Sequence, residues 1–258
     1  MTHSSADKGR VRTHVGLAVA GGVLLGLAAG FAALVAAHPV HPPALGVDRD
    51  WLAIIRHTRD HFLTAAAKVV SLVGGPNGGT VIVIAVAAYL WLARQRRIGA
   101  VFLVCVLALT SGASQLIKHL VLRPRPPGAL VPADMGSFPS GHVITTLAVG
   151  FALAMLLARP GHRRVPLAAA TVATLVMVWC RTYLGAHWLS DTLESIFVSG
   201  GFALAAWAFA GHLVDGEAAR SAGEDSGAAG EDSGAAGEPS SAAGREARTA
   251  GRDVRDSM

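Results

Sequence analysis

The sequence predicts an all-α integral membrane protein, with a bundle of six transmembrane helices, an interfacial helix and a disordered C-terminal tail. Three observations support this fold class. Hydrophobic residues make up 52% of the 258 positions and charged residues only 15%, and the mean hydropathy is +0.47; soluble globular domains are more polar. Six apolar runs approach or reach the roughly 17–25 residues that a spanning helix needs. A polar, glycine-rich sequence follows the last run.

The six apolar runs are predicted as membrane spans, and they divide the chain into three parts. The runs are 15–37, 77–93, 98–118, 143–158, 165–182 and 189–213. The first exceeds the roughly 7–15 apolar residues of a signal peptide, so an uncleaved anchor is favoured over a cleaved signal. In this interpretation 1–14 is a cytoplasmic N-terminus, 15–213 is the membrane domain and 214–258 is a cytoplasmic tail.

Two segments outside these spans also have a predicted structure. Segment 48–73 carries charged residues along its length, and its apolar positions fit a helix lying at the membrane surface, so we predict no seventh span there. The tail repeats a seven-residue theme, AGEDSGA twice and then AGEPSSA, without an apolar seam. Its polarity and recurring glycine predict disorder over 214–258 rather than a coiled coil.

Basic residues in the short loops predict the orientation of the chain. They precede the first span, separate the second span from the third, and separate the fourth from the fifth: Lys8, Arg10, Arg12, Arg94, Arg96, Arg97, Arg159, Arg163 and Arg164. With six spans, all of these residues face the cytoplasm. We therefore predict a multi-pass protein of the cell membrane with both termini in the cytoplasm.

Two polar clusters flank the predicted extracytoplasmic loop between the third and fourth spans, and charges next to hydrocarbon often indicate function. Lys118 and Arg125 either extend to the lipid headgroups or bind an anion; the prolines beside Arg125 stiffen its presentation. Pro139-Ser140-Gly141-His142 opens the fourth span. This tetrad is compatible with a serine helix cap and with a phosphate site, because the N–H groups at a helix start attract anions.

A third polar cluster joins the fifth and sixth spans and contains Arg181, His187 and Asp191. His187 and Asp191 are four positions apart, so on a helix they share a face. A carboxylate bonded to one imidazole nitrogen would make the other nitrogen a better base or nucleophile. The alternative is an interfacial histidine capped by an acid.

The order and spacing of the three clusters resemble the signature of the type-2 phosphatidic acid phosphatase superfamily. The signature consists of Lys-x6-Arg-Pro, then Pro-Ser-Gly-His, then Arg-x5-His-x3-Asp. It is met here by Lys118, Arg125, Pro126, Pro139, Ser140, Gly141, His142, Arg181, His187 and Asp191. The resemblance implies a lipid phosphate phosphatase that needs no metal and no other cofactor and passes through a phosphohistidine.

The resemblance also implies a role for each matching residue. His187 attacks phosphorus, Asp191 orients His187, and His142 protonates the leaving oxygen and then activates water. The phosphoryl oxygens are bound by Lys118, Arg125, Ser140, Gly141 and Arg181. The expected partners are a lipid phosphate substrate and membrane lipids, with no nucleic acid.

Two positions depart from the family pattern, and three functions stay open. Cys180 replaces a usual serine, and Glu194 replaces a usual small residue. For Glu194, a hydrated acid at the mouth of the cleft is favoured over a role in substrate binding. The substrate is a polyprenyl diphosphate, phosphatidic acid or phosphatidylglycerol phosphate. The alternatives to hydrolysis are a lipid phosphotransferase that uses the same phosphohistidine and a catalytically silent lipid-binding relative.

Overall fold

The computed structural model of the chain describes residues 3–37, 44–132 and 136–235. These residues form α-helices and contain no strand, so the predicted all-α class is confirmed. The helices are α1 (His3–Ala36), α2 (Gly46–His57), α3 (His61–Gly74), α4 (Pro76–Ala88), α5 (Arg97–Val121), α6 (Gly141–Leu157), α7 (Arg164–Tyr183) and α8 (Leu189–Ala235). A π-helical turn, Tyr89–Ala93, continues α4, and a 3₁₀ turn, Pro160–His162, precedes α7.

Within the described residues, five helical segments are long and apolar enough to cross a membrane. They are Arg12–Ala36, Pro76–Ala93, Arg97–Val121, Arg164–Tyr183 and Leu189–Gly223, and each corresponds to a predicted span. The remaining predicted span, 143–158, corresponds to α6. This helix is apolar but has only 17 residues, the lower limit for crossing a bilayer. The count of six spans therefore stays a prediction.

The predicted interfacial helix at 48–73 is two helices, α2 and α3. The break falls at Arg59 and Asp60, because the Asp60 side chain accepts a hydrogen bond from Leu63 N (2.9 Å) and starts a new helix. Tyr183 at the end of α7 secures this break. Its carbonyl accepts a bond from Arg59 Nε (2.9 Å), and its hydroxyl accepts one from Asp60 N (3.0 Å).

Helix α8 continues beyond the predicted end of the last span, to Ala235, so the predicted disorder is wrong for 214–235. Alanine, glutamate and arginine in this stretch are good helix formers. Glu217 also accepts bonds from Ile98 N (2.7 Å) and Gly99 N (2.9 Å) at the start of α5, where a carboxylate is favourable. The chain divides into the compact units Met1–Ala218 and Ala219–Met258. Residues 236–258 of the predicted tail lie outside the described residues.

Helix α6 packs against both α5 and α7. Small residues let α6 and α7 approach closely, since a Cβ placed on Gly150 would lie 3.0 Å from Ala170 Cβ. At the C-terminal end of α6, the carbonyl of Leu156 accepts a bond from Arg96 (3.0 Å). The basic loops before α5 and after α6 therefore lie at one end of the helices. The N-terminus of α6, with His142, lies at the other.

Candidate active site

A cavity of about 330 Å³ lies where the N-terminus of α6 meets α3, α5 and the end of α7. Six of the eight predicted site residues line it: Lys118, Arg125, Gly141, His142, Arg181 and His187. The other two, Ser140 and Asp191, are fully buried beside it. The fold thus brings the three sequence clusters together. It also places Lys68 of α3 in the cavity wall, which sequence reasoning missed.

His187 lies in the turn between α7 and α8 and is 3% exposed. Gly185 makes this turn with φ +67°, in the region that favours glycine. The Nδ1 atom of His187 lies 2.6 Å from the carbonyl oxygen of Ser137. A carbonyl only accepts, so Nδ1 carries the hydrogen and Nε2 keeps its lone pair. Nε2 lies 3.4 Å from Nη1 of Arg125 at the cavity wall.

Asp191 does not make the predicted hydrogen bond to His187. The two residues do not share a helical face, because α8 begins at Leu189, and Asp191 Oδ2 lies 3.8 Å from His187 Nδ1. Asp191 Oδ2 instead accepts a bond from Trp188 N (2.8 Å). An acidic side chain three positions into a helix commonly bonds back to the residue before the helix. Asp191 thus holds the backbone next to His187, while Ser137 holds the imidazole.

A buried ion-pair network supports this turn, and sequence reasoning missed it. Arg123 is fully buried; its Nη1 donates to Asp191 Oδ1 and to Ser190 Oγ (2.7 Å). Its Nη2 donates to Asp48 Oδ2 (2.8 Å), and Asp48 is also buried. The guanidinium therefore joins α2 to the start of α8. The sequence signal was an arginine between an apolar helix end and a proline, but its acidic partner is far away in the chain.

The cavity is strongly cationic, and its arginines are held in place. Arg181 Nη1 donates to Ser71 Oγ (2.6 Å), and Arg125 Nη1 donates to the carbonyl of Ala186 (2.6 Å). Burial lowers the pKa of His187 well below its ordinary value of 6.5, and repulsion by Arg181, Arg125 and Lys118 lowers it further. His187 is therefore neutral near pH 7, which leaves Nε2 available.

The polar tetrad at the start of α6 contains a buried hydroxyl, that of Ser140. Ser140 occupies the N-cap position, but its side chain makes no capping bond, unlike the predicted serine cap. Its Oγ is buried and has no hydrogen-bond partner among the described residues, whereas its N–H donates to Ser195 Oγ (2.8 Å). His142 packs against the α3–α4 junction, where a Cβ on Gly75 would lie 2.7 Å from His142 Cδ2.

Within the part of the chain that the structure describes, no group of three or more histidine, cysteine, aspartate or glutamate residues is placed to hold a metal ion. Asp191 and Asp48, the acids of the network, are both engaged by Arg123. The cavity instead presents basic side chains, which bind an anion directly. The metal-independent mechanism stays a prediction.

The sequence around this site is similar to one known protein family. The profile described as the PAP2 superfamily matches residues 99–214. Residues 99–214 of this chain are therefore similar to the PAP2 superfamily. The resemblance that the sequence motifs predicted is thereby confirmed, and the matched segment contains all eight predicted site residues but neither Asp48 nor Lys68. The sequence has no significant match among curated proteins.

Two solved structures have a fold similar to that of this chain. One is described as the first transmembrane PAP2 type phosphatidylglycerolphosphate phosphatase from Bacillus subtilis. It has 21% sequence identity and a TM-score of 0.62, and the match covers 78% of this chain and 96% of that chain. The other, Aquifex aeolicus LpxE, has 16% identity and a TM-score of 0.53, with coverage of 63% and 95%. At these identities the likeness establishes the fold.

The two departures from the PAP2 pattern lie outside the cavity lining. Cys180 is a buried free thiol. Glu194 is 0% exposed, and neither of its carboxylate oxygens has a hydrogen-bond partner among the described residues. The prediction of a hydrated acid at the cavity mouth is therefore wrong. Glu194 follows Asp191 by nearly one helical turn and faces the packed interior of the helices.

Proposed function

We propose that this chain is a membrane-embedded phosphatase that removes phosphate from a lipid phosphate or diphosphate through a phosphohistidine at His187. One observation carries the proposal: a neutral histidine presents the lone pair of Nε2 to a cavity lined by fixed cations. The similarity of residues 99–214 to the PAP2 superfamily supports the reaction class, as does the similarity of fold to the phosphatidylglycerolphosphate phosphatase from Bacillus subtilis.

In the first step, His187 Nε2 attacks phosphorus and the bond from phosphorus to the leaving oxygen breaks. Lys118, Arg125 and Arg181 neutralise the equatorial oxygens, where charge accumulates in phosphoryl transfer. The buried Ser140 hydroxyl and the Gly141 N–H at the start of α6 add donors. Burial, and then repulsion by Arg181, lowers the pKa of His142 to about 3, so His142 takes up a proton only together with the anionic substrate. It then gives this proton to the leaving oxygen, and the lipid departs as an alcohol or a monophosphate.

In the second step, water attacks the phosphohistidine and the bond from phosphorus to Nε2 breaks. His142, now neutral, takes a proton from this water, and inorganic phosphate is released. The electron pair of the broken bond returns to Nε2, while Nδ1 keeps its hydrogen on the Ser137 carbonyl throughout. Asp191 and Arg123 hold the turn that carries His187 in both steps.

The proposed substrate is a lipid, and the reaction takes place at the extracytoplasmic surface. The cavity lies at the opposite ends of α5 and α6 from the basic loops, and positive loops favour the cytoplasm. A lipid headgroup could then enter the cavity while its tail stays among the apolar helix faces. Polyprenyl diphosphate, phosphatidic acid and phosphatidylglycerol phosphate all fit this description.

Release of inorganic phosphate from a panel of these lipids, in detergent with EDTA, tests the proposal. We expect turnover in EDTA and inhibition by vanadate, which mimics pentacoordinate phosphorus. Loss of activity in EDTA with recovery in Mg²⁺ would contradict the metal-free mechanism. Transfer of phosphate to a second lipid without release of inorganic phosphate would favour the phosphotransferase, and no reaction with any lipid would favour the silent relative.

A brief pulse with ³²P-labelled substrate, quenched in base, tests the nucleophile. We expect an acid-labile, base-stable adduct that His187→Ala abolishes. His119→Ala is the matched control, because His119 is an exposed histidine of α5 outside the cavity lining. An adduct that persists in His187→Ala would overturn the assignment.

Labelling of single cysteines in intact cells tests the orientation. A cysteine replacing Ala129, near the cavity, should react with an impermeant thiol reagent, whereas one replacing Gly161 should not. Gly161 suits this purpose because an added Cβ there meets nothing within 4 Å. The natural thiols, Cys105 and Cys180, are replaced by alanine in both variants. The opposite labelling pattern would invert the topology.

A further inference from the structure

One face of α3 forms a wall of the cavity. Lys68, Ser71 and Leu72 are spaced at i, i+3 and i+4, so they follow one stripe along the helix, and Gly75 comes directly after the last helical residue. Gly75 contacts the His142 ring, and Ser71 accepts the hydrogen bond from Arg181. Lys68 and Leu72 complete the stripe and line the cavity. Lys68 therefore belongs to the same wall that positions two residues of the proposed active site.

The Lys68 side chain has no role in the mechanism above. It is exposed, and it forms no ion pair or hydrogen bond with any residue that the structure describes. Gln115, from α5, also lines the cavity and lies one helical turn before Lys118. The Gln115 side chain likewise forms no hydrogen bond within the described part of the chain, so its amide is available to a ligand. The two side chains together offer an ammonium and an amide to the same cavity.

The charge in the cavity exceeds what one phosphoryl group requires. The cavity is lined by the cations Lys68, Lys118, Arg125 and Arg181, and the described lining residues include no carboxylate. A terminal phosphate carries about two negative charges at neutral pH, and Lys118, Arg125 and Arg181 already neutralise it in the proposed mechanism. The cavity volume of about 330 Å³ also exceeds the space of one phosphate group, since a water molecule takes roughly 30 Å³ of liquid.

We propose that Lys68, assisted by Gln115, binds a second phosphate that the substrate carries beyond the scissile one. This inference rests on the proposed function and narrows its substrate class to lipids with two phosphates in the headgroup. In a diphosphate, the bond from the terminal phosphorus to the bridging oxygen breaks and the electron pair stays on that oxygen. Lys68 neutralises the lipid monophosphate that leaves. Lys68 precedes the segment matched by the PAP2 profile, whereas Gln115 lies within that segment.

Paired substrates test the subsite. Farnesyl diphosphate is compared with farnesyl monophosphate, and phosphatidylglycerol phosphate with phosphatidic acid. We expect Lys68→Met to lower kcat/KM about tenfold for the two-phosphate member of a pair, the size of one charge-assisted contact. Its partner with one phosphate should stay within about twofold. A loss confined to the farnesyl pair identifies a diphosphate, and a loss confined to the other pair identifies a phosphate linked through glycerol.

Two control variants accompany this experiment. Lys68→Arg keeps the charge and should retain most of the preference for the substrate with two phosphates. Arg49→Met removes an exposed charge from α2, outside the cavity lining, and should change neither member of a pair. Equal losses for both members of each pair in Lys68→Met, or no loss in either, would overturn the subsite. A wild-type preference for the substrates with one phosphate would overturn it as well.

Equilibrium binding separates failure of the subsite from failure of the proposed function. If wild-type protein releases phosphate from no lipid, the proposed function fails, but inorganic pyrophosphate and phosphate can still be titrated into the purified full chain by calorimetry. We expect pyrophosphate to bind about tenfold more tightly than phosphate. Lys68→Met should remove this difference. Equal affinities of the wild-type protein for the two anions would overturn the subsite, whatever the activity.

Discussion

Substitution of Arg123 by methionine should destabilise the protein strongly. The guanidinium is 0% exposed and pairs with Asp48 and Asp191, whose side chains are also fully buried. Methionine fills a similar space but leaves both carboxylates without their cation. Removal of one partner from a buried ion pair typically costs about 3–5 kcal/mol. For a domain of this size, each kcal/mol lowers the melting temperature by about 2–4 °C. We expect a decrease of about 6–20 °C in detergent.

Arg163→Met is the matched control for this prediction. Arg163 also pairs with an aspartate, Asp215, but the two side chains are 13% and 34% exposed. Pairs that reach solvent contribute about 0–1 kcal/mol, so the control should lose much less stability. Adding Asp48→Asn to Arg123→Met should recover part of the loss, because one uncompensated charge is removed. Equal melting temperatures for Arg123→Met and wild type would refute the proposed importance of the network, as would the absence of rescue.

Three further predictions concern single residues around the site. Gly75→Ala should lower turnover about 100-fold, because the added Cβ would lie 2.7 Å from His142 Cδ2. The control Gly112→Ala should lower turnover less than twofold, because a Cβ there would meet nothing within 4 Å. Equal activities of the two variants would contradict the packing argument. Burial and then the neighbouring arginines lower the pKa of His187, so NMR should find its ring neutral at pH 6. Because the unfolded chain binds this proton more tightly, His187 should reduce folding stability as the pH falls below 6.5. A ring protonated at pH 6 would contradict both expectations. Glu194→Gln removes a buried carboxylate that has no partner among the described residues, so it should raise the melting temperature without changing kcat; a tenfold decrease in kcat would instead indicate a role in the reaction.

The position of the ionic network explains why a residue outside the cavity lining should affect catalysis. Arg123 holds Asp191, and Asp191 accepts the hydrogen bond from Trp188 N, the backbone group that follows His187. Asp48 connects the same guanidinium to α2. A loss of stability in Arg123→Met should therefore accompany a loss of turnover, because the turn that carries His187 loses its support.

The sequence by itself determined which segments are apolar, which loops are basic and which polar residues lie at helix ends. Those properties are local, because hydropathy is summed along one helix and a motif such as Pro139–His142 lies within a few positions. Lys118, Arg125 and Arg181 could be selected for the same reason: a charge next to an apolar run is costly unless it has a function.

Only the tertiary structure decided which groups bond to one another. The pair of Arg123 and Asp48 spans 75 positions, and sequence spacing specifies neighbours only within a single helix. The carbonyl of Ser137, rather than the carboxylate of Asp191, bonds to His187 because α8 begins after His187 and removes the shared helical face. Lys68 lines the cavity because α3 packs against α7 and α6. A stripe at helical spacing shows that its residues share a face, but only the packing of the helices determines what that face meets.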